Sequence, residues 1–351
     1  MKKAMAQFKI KPASTPRSAR DLVAQSLVCD AMLPWLCTDQ SHAILSRYHA
    51  IGFDFISITV SSDDEACDPA AYALRAMARL RRLMAERPDK YVLAGTGAEV
   101  RAARLARRLA INFNFQGTLA FGKSTELVWA YRELGLRQVL LAYNQANFVC
   151  DGCSETREGG LTKVGIRLVK ALNDARITVD GTHCSPRATF DAMELSTRPF
   201  IFSHSNCHSV YPHYRNITDE QIKACAATGG FIGINGLNLF LGDETGGSEA
   251  IFRHIDHVAT LVGYQHVGLG LDYVQFEEPI DAYYAVNQDT WPDNPYNGRP
   301  MRGIRSAQPE QIVEVTELML RHGYTSEMIE AILGGNYLRV SETIWGGGGS
   351  A

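Results

Sequence analysis

The fold of this chain is decided by two short stretches, residues 177–183 (ITVDGTH) and residues 200–205 (FIFSHS). Each is an apolar, β-type run with a histidine at or near its end, His183 in the first and His204 in the second. The spacing between the histidines suits one strand–helix–strand unit, so the two strands are expected to run parallel. Their C-terminal ends then meet at one rim of a sheet, where α/β proteins keep their chemistry, and a histidine there is a natural metal ligand.

The same alternation of apolar β-rich runs and helical patterns extends along the chain. We predict eight strands, at 27–33, 53–60, 109–117, 138–143, 177–183, 200–205, 230–236 and 266–272, with 91–95 as an extra one. Helices are predicted between them at 69–86, 97–107, 124–134, 162–174, 187–196, 218–227 and 249–262. Capping residues support several helix starts: Ser124 precedes a helix with Glu126 in its first turn, and Thr218 precedes two acidic residues.

This order of elements predicts a TIM-like (β/α)8 barrel in a single domain over residues 1–345. Eight strands that alternate with helices over about 320 residues fit a closed barrel better than an open doubly wound sheet. No Gly-x-Gly-x-x-Gly motif follows an early strand, which argues against a dinucleotide-binding fold. The polar and aromatic insertion at 273–308 predicts a loop over the C-terminal mouth of the barrel. We interpret residues 346–351 (GGGGSA) as a linker outside the domain.

Composition and charge narrow the class of protein. Of the 351 residues, 46% are hydrophobic and 21% are charged, as in a folded globular protein. A net charge of −3 gives no basic field for nucleic acid, so a small-molecule carboxylate or amide is the expected partner. No apolar run reaches the about 18–20 residues that cross a bilayer, so no membrane partner is expected. Eight cysteines in a chain of this size, without a signal-peptide pattern, favour a reducing cytoplasm.

Side chains that can do chemistry stand near the ends of the predicted strands. In chain order they are Asp30 and Met32 on the first strand, Gln116 on the third, Tyr143 and Asn144 on the fourth, His183 on the fifth, His204 on the sixth and Asp272 on the eighth. Because the C-terminal ends of parallel strands surround the mouth of a barrel, we expect these side chains to lie near one another. Histidines and carboxylates are common zinc ligands and common general acids and bases.

This constellation resembles the membrane (renal) dipeptidase family, peptidase family M19, among the amidohydrolase-like barrels. The resemblance covers roughly residues 27–345 and rests on several motifs that occur in the same order. They are Asn144-x-x-Asn147, Gly160-Leu161-Thr162-x-x-Gly165, Asp180-x-x-His183, Ser203-His204-Ser205-Asn206, Arg215-Asn216-x-x-Asp219-Glu220, Gly229-Gly230-x-x-Gly233 and His266-Val267-Gly268-x-Gly270-x-Asp272.

The resemblance implies a TIM-like barrel that is usually a homodimer and hydrolyses dipeptides with two zinc ions bridged by a carboxylate. It makes His183 and His204 ligands of the second zinc ion and Asp272 a ligand of the first. The predicted substrate-binding residues are Arg215, which matches the family's carboxylate-binding arginine, Asn216 and Gln116.

The rest of the family's first metal site is missing from this chain. Where the family has His-x-Asp before Leu-Pro, this sequence has Asp30-Ala31-Met32, and where the family has the bridging glutamate it has Gln116. A thioether is a poor ligand for Zn²⁺. A neutral amide provides no anionic bridge between two dications that repel each other.

We therefore predict at most one zinc ion per chain. Its ligands would be His183, His204 and one carboxylate, with Asp272 as the first choice and Asp30 as the second, which leaves an open position for water. If Asp272 stays off the metal, it is the best candidate for the general base. Asp30 and Tyr143 complete the predicted catalytic residues, and the phenol of Tyr143 is placed to donate to a developing oxyanion.

Three functions are compatible with these residues. The first is a mononuclear, dipeptidase-like hydrolase of a small amide or dipeptide. The second is a barrel redirected to non-hydrolytic acid–base chemistry, as an isomerase or lyase, with or without metal. The third is a catalytically silent relative that binds a carboxylate compound through Arg215.

Overall fold

The computed structural model describes residues 17–34, 41–63, 68–157, 159–275 and 277–346. Two of the eight cysteines, Cys37 and Cys67, and residues 347–351 of the predicted linker lie outside these ranges. The strands are β1 (Cys29–Leu33), β2 (Phe55–Ser62), β3 (Tyr91–Leu93), β4 (Leu109–Gln116), β5 (Leu136–Leu140), β6 (Thr178–Asp180), β7 (Ile201–Phe202), β8 (Phe231–Ile234) and β9 (Val267–Leu269).

Eight of these strands form a nearly closed parallel barrel. Their spatial order is β1-β2-β4-β5-β6-β7-β8-β9, and β3 pairs with the beginning of β4. Between the last strand and the first, the backbone N–H of Asp272 donates to the carbonyl of Met32 at 3.2 Å. The predicted (β/α)8 barrel is therefore confirmed, and β3 corresponds to the extra strand at 91–95.

The helices alternate with the barrel strands, and several have a side-chain cap, including the one predicted at Thr218. The side chains of Thr162, Ser185 and Thr218 each accept a hydrogen bond from a backbone N–H in the first turn of the helix that follows. None of the helices in the described ranges is both long and apolar enough to cross a bilayer. The helices are α1 (Ala19–Gln25), α2 (Ser41–Ile51), α3 (Pro69–Glu86), α4 (Gly97–Leu105), α5 (Leu127–Leu134), α6 (Lys163–Asp174), α7 (Pro186–Leu195), α8 (Asp219–Ala227), α9 (Asn238–Leu241), α10 (Ser248–Val262), α11 (Glu277–Val286), α12 (Ile312–Arg321), α13 (Ser326–Glu330) and α14 (Asn336–Trp345).

Several predicted boundaries differ from the observed ones, and two of the differences have a local cause. Helix α5 begins three residues after Ser124, because the Ser124 hydroxyl accepts from the backbone N–H of Glu126 at 3.2 Å in a turn before the helix. The strand predicted over 177–183 ends at Asp180, because Asp180 Oδ1 accepts from the backbone N–H of Thr182 at 3.0 Å and turns the chain. This turn places His183 beyond the strand, in the connection to α7.

The N-terminal end of the barrel is sealed by α14. Tyr337 and Trp345 of this helix pack with Phe55 and Phe231 in a buried aromatic cluster. The indole N–H of Trp345 also donates to Thr178 Oγ1 at 3.1 Å. Because this end is filled with close-packed rings, the C-terminal end is the one available for ligands.

The insertion at 273–308, predicted as a loop, contains the helix α11, so that part of the prediction is wrong. Pro279 does not prevent this helix, because proline is tolerated in the first turn. Glu277 and Glu278 in the same turn favour the helix N-terminus. Asp281 accepts from the backbone N–H of Ile304 at 2.9 Å, and Glu277 accepts from that of Ser306 at 2.9 Å. These bonds fold the insertion back on itself. We call its described residues the cap.

Candidate active site

Two histidines meet at the C-terminal mouth of the barrel. His183 follows β6 and His204 follows β7, and their Nε2 atoms lie 3.0 Å apart. Both side chains are buried. The backbone of His183 is left-handed, with φ of 71°, and so is that of Asp272, with φ of 54°. Left-handed backbone is strained for residues other than glycine, and such strain often marks functional positions.

A buried amide fixes the proton on His183. The Asn144 Nδ2 group donates to the carbonyl of Thr290 in the cap at 2.9 Å, so Asn144 Oδ1 faces His183 and accepts from its Nδ1 at 2.6 Å. Because Nδ1 then carries the proton, Nε2 of His183 is left as an acceptor. This acceptor faces His204 and Arg215, whose Nη2 lies 3.3 Å away.

Burial and a neighbouring guanidinium keep both histidines neutral. Burial lowers the pKa of His183 and of His204 well below the usual value, and the positive charge of Arg215 lowers both further. Arg215 is itself buried, with Cζ 5.0 Å from the centroid of the Phe240 ring. Its Nε has no hydrogen-bond partner among the described residues. The two imidazoles are therefore available as neutral ligands or acceptors.

Met32 and Gln116, which stand where the resemblance implies charged metal ligands, lie in a neutral cluster. The Gln116 amide donates to Thr59 Oγ1 at 3.0 Å and lies 3.4 Å from Met32 Sδ. Thr59 in turn donates to Asn114 Oδ1 at 2.9 Å. These side chains form hydrogen bonds with one another and none of them is charged, so neither Met32 nor Gln116 offers an anionic ligand.

Two buried aspartates have raised pKa values. Burial raises the pKa of Asp30 to about 7, although its carboxylate accepts from the backbone N–H groups of Met32 and Leu271 and from the Tyr48 hydroxyl. Burial likewise raises the pKa of Asp272 to about 6, against the opposing charge of Arg215 and a hydrogen bond from Asn235. Each aspartate can therefore gain or lose a proton near neutral pH, as acid–base catalysis requires.

The two histidines are the candidate donors for a metal ion at the barrel mouth. In the described parts of the chain, no group of three or more histidine, cysteine, aspartate and glutamate side chains is arranged to hold a metal ion. The two imidazole nitrogens, 3.0 Å apart, can still share one ion at the usual Zn–N distance of about 2.0–2.1 Å. Met32 and Gln116 fit no second ion. That Asp272 completes a ligand set stays a prediction.

A cavity of about 240 Å³ opens between the barrel mouth and the cap. Tyr143 forms part of its wall and stacks on His183, with ring centroids 4.2 Å apart and an interplanar angle of 23°. The lining residues come from both the barrel and the cap. They are Pro34, Thr59, Ser62, Gln116, Tyr143, His183, Leu237, Asp272, Val274, Ile280, Tyr283, Tyr284 and Trp291.

The comparison with known families agrees with this arrangement. Residues 38–285 match the profile of the family described as membrane dipeptidase, peptidase family M19. The chain belongs to this family. The predicted family membership is confirmed, and the prediction of an enzyme of the dipeptidase type is confirmed at the level of the M19 family.

Individual proteins similar to this M19 member are distant in sequence. An uncharacterised protein from the pqqA 5′ region of Klebsiella pneumoniae is 27% identical over 289 residues, covering 79% of this chain and 98% of that protein. The chain also matches curated dipeptidases, of which it spans between 48% and 57% of the length.

Solved structures share the fold. An amidohydrolase from Pseudomonas aeruginosa superposes with a TM-score of 0.84 at 23% identity, covering 94% of this chain and 100% of its own. A metallopeptidase from Rhodobacter sphaeroides, liganded with a phosphinate mimic of the dipeptide L-Ala-D-Ala, gives a TM-score of 0.74 at 23% identity, covering 92% and 100%.

The structure groups the predicted site residues of this M19 member in three ways. His183 contacts both His204 and Arg215. Tyr143, Gln116 and Asp272 line the cavity, and Asp30 is buried beside Leu271 at the strand end. Asn216, predicted to bind substrate, donates to the carbonyls of Tyr211 and Phe240 and does not line the cavity.

The contribution of the cap residues to the site was not predicted from the sequence. Trp291 and Tyr284 line the cavity, and Thr290 fixes the orientation of Asn144. The aromatic composition of 273–308 was a signal that this insertion shapes the site. It did not indicate which of its side chains face the barrel.

Proposed function

We propose that this protein hydrolyses a small amide, such as a dipeptide or an acyl amino acid, with at most one zinc ion per chain. The observation that carries the proposal is the buried pair His183–His204, with Nε2 atoms 3.0 Å apart at the barrel mouth. Membership of the M19 family supports the dipeptidase-type reaction. A relative of the same fold was solved with a dipeptide mimic, which supports a substrate of this size.

The two histidines are the residues that would hold the ion. When bound, a zinc ion supplies a polarised carbonyl and a water of lowered pKa. The neutral state of both imidazoles suits this role, because a protonated ring cannot ligate a metal. The hydrogen bond from His183 Nδ1 to Asn144 holds that ring in the required tautomer and orientation.

Asp272 is the proposed general base. Its Oδ2 accepts from Asn235 at 2.9 Å, which leaves Oδ1 to take a proton from the attacking water and return it to the leaving amine. A pKa of about 6 leaves this carboxylate ionised above neutral pH and still basic enough to work. Tyr143, stacked on His183 in the cavity wall, is the proposed donor to the carbonyl oxygen of the substrate.

One observation favours the alternative of metal-free acid–base chemistry. Met32 and Gln116 replace charged ligands by neutral groups that satisfy each other, while Asp30 and Asp272 titrate near neutral pH. An isomerase or lyase needs such a poised acid–base pair and needs no metal. This second candidate predicts activity that survives chelation.

Elemental analysis of metal per chain, paired with a screen of dipeptides and acyl amino acids, tests the proposal. We expect up to one zinc ion per chain and hydrolysis that is lost on chelation and restored by zinc. His183→Asn and His204→Asn should each abolish both metal retention and turnover. The control is His257→Gln, which replaces a side chain that contacts Asp219 away from the mouth and should change neither metal retention nor turnover.

Hydrolysis that persists in the double histidine variant, or after complete chelation, would contradict the zinc hydrolase. Metal-free protein that converts a substrate without consuming water would instead support the alternative. Tight carboxylate binding with no turnover of any compound would indicate the silent relative.

A further inference from the structure

The cap forms a rigid roof over the cavity. Besides its internal bonds, the carbonyl of Thr290 accepts from Asn144, which lies beside the histidine pair. Ser306 of the cap forms a β-bridge with Leu237 on the barrel side. The cap is therefore tied to the barrel mouth at more than one point. A wall fixed in this way can discriminate between ligands by shape, because it does not have to be ordered when the ligand binds.

The cavity between roof and floor is apolar and almost free of charge. Aromatic and aliphatic side chains make up most of its wall, and the remaining groups are hydroxyls, an amide, the imidazole of His183 and the carboxylate of Asp272. Asp272 is its sole carboxylate among the described lining residues, and no lysine or arginine is among them. Arg215 is packed against Phe240 outside this lining. An acidic side chain placed here would lose its water beside the carboxylate of Asp272, without gaining a positively charged partner.

Trp291 adds a specific feature to the wall. Its ring is buried and packs against Tyr284 at 4.4 Å, against Tyr143 at 5.5 Å and against Phe240 at 6.3 Å between centroids. Its Nε1 has no hydrogen-bond partner among the described residues. A buried indole N–H without an acceptor is unfavourable, and such groups are rare in folded proteins. An oxygen of the bound ligand would satisfy it.

We propose that the substrate carries an uncharged aromatic or large aliphatic side chain that fills this cavity, and that Trp291 determines the preference. The Trp291 ring provides the wall, and its N–H donates to a carbonyl or carboxylate oxygen of the substrate. This inference rests on the proposed hydrolase function and adds the class of substrate. It predicts a preference for phenylalanine- and leucine-containing dipeptides over those with small or acidic side chains.

The test measures kcat/KM for Phe-Ala, Ala-Phe, Leu-Ala, Ala-Ala, Asp-Ala and Ala-Asp. For wild type, the best aromatic or leucine-containing dipeptide should exceed Ala-Ala and both aspartate-containing dipeptides by at least about tenfold. Trp291→Ala should remove most of this selectivity. Trp291→Phe keeps a ring and loses the N–H, so KM should rise for all dipeptides by a similar factor while the selectivity remains. Trp129→Phe is the matched control, because the Trp129 side chain is half exposed on α5, and it should change neither KM nor the selectivity.

The two proposals fail in different ways. If wild type hydrolyses none of these dipeptides, the hydrolase function is contradicted, and the same dipeptides are then titrated into it by calorimetry. Tighter binding of Phe-Ala or Ala-Phe than of Ala-Ala, lost in Trp291→Ala, would support the cavity assignment without hydrolysis. Equal handling of Ala-Ala, Asp-Ala and the aromatic dipeptides would overturn it, and so would unchanged selectivity in a folded Trp291→Ala protein.

Discussion

Replacing Asp30 with asparagine should stabilise the protein at alkaline pH and change its stability little at acidic pH. In the folded protein, Asp30 is fully buried and accepts from the N–H groups of Met32 and Leu271 and from the Tyr48 hydroxyl. An asparagine can take over this arrangement, since its Oδ1 accepts both backbone N–H groups and its amide donates to the Tyr48 oxygen. The variant therefore keeps the hydrogen bonds and removes a carboxylate that burial disfavours when ionised.

The magnitude follows from the pKa of Asp30, which burial raises from 3.8 to about 7. Below about pH 4 the group is protonated in both the folded and the unfolded chain, so it has no effect on stability. Between about pH 4 and about pH 7 the folded chain holds a proton on Asp30 that the unfolded chain has released. The free energy of unfolding therefore falls as pH rises through this range. At about 1.4 kcal/mol per pKa unit, the total loss above pH 7 is about 4 kcal/mol.

Urea unfolding of wild type and Asp30→Asn at about pH 5 and about pH 8.5 measures this effect. The free energy of unfolding of the variant, relative to wild type, should increase by about 3 kcal/mol between these pH values. Asp174→Asn, at the exposed end of α6, is the control. Its free energy of unfolding relative to wild type should be the same at both pH values. A free-energy difference for Asp30→Asn that does not change with pH, or a variant less stable than wild type at about pH 8.5, would show that burial does not raise the pKa of Asp30 in this way.

Three further predictions concern the site. Activity should fall as pH drops through about 6, because Asp272 must be ionised to act as a base. In Asp272→Asn, the profile of kcat/KM against pH should not show this fall near pH 6. Asn144→Leu should lower the free energy of unfolding, measured in urea, by about 4 kcal/mol. The Nδ1–H of His183 and the carbonyl of Thr290 each lose a buried hydrogen-bond partner, at a cost of about 1–3 kcal/mol each. A loss below about 1 kcal/mol would contradict this. Asp281→Ala should loosen the cap and raise its rate of limited proteolysis, with little change in the global unfolding midpoint, because only bonds within the cap are removed.

The barrel was predictable because its signals are local. Each strand is a short apolar run, each following helix has its own amphipathic pattern, and their alternation leaves few topologies. Boundaries were less predictable, because they depend on single side-chain bonds such as the one from Asp180 to the backbone of Thr182. The helix in the cap was missed because the early Pro279 and the clustered tyrosines obscure a helical pattern in Glu277–Val286.

Part of the site was also predictable from the sequence. His183, His204 and Asp272 follow recognisable strands, so their convergence at the mouth follows from the barrel. The link between Asn144 and Thr290 joins residues 146 positions apart and depends on how the cap folds, which no local pattern encodes. The zinc ion, homodimerisation and a cytoplasmic location stay predictions.

The left-handed backbone at His183 and Asp272 has a consequence for engineering this protein. For a residue with a Cβ atom this conformation costs about 1–3 kcal/mol, and glycine adopts it without that cost. Glycine at either position would relieve this strain, but it would also remove a buried side chain that forms a hydrogen bond with Asn144 or Asn235. Backbone strain and side-chain contacts therefore offset each other at these two positions, so any variant changed there should be screened for both stability and function.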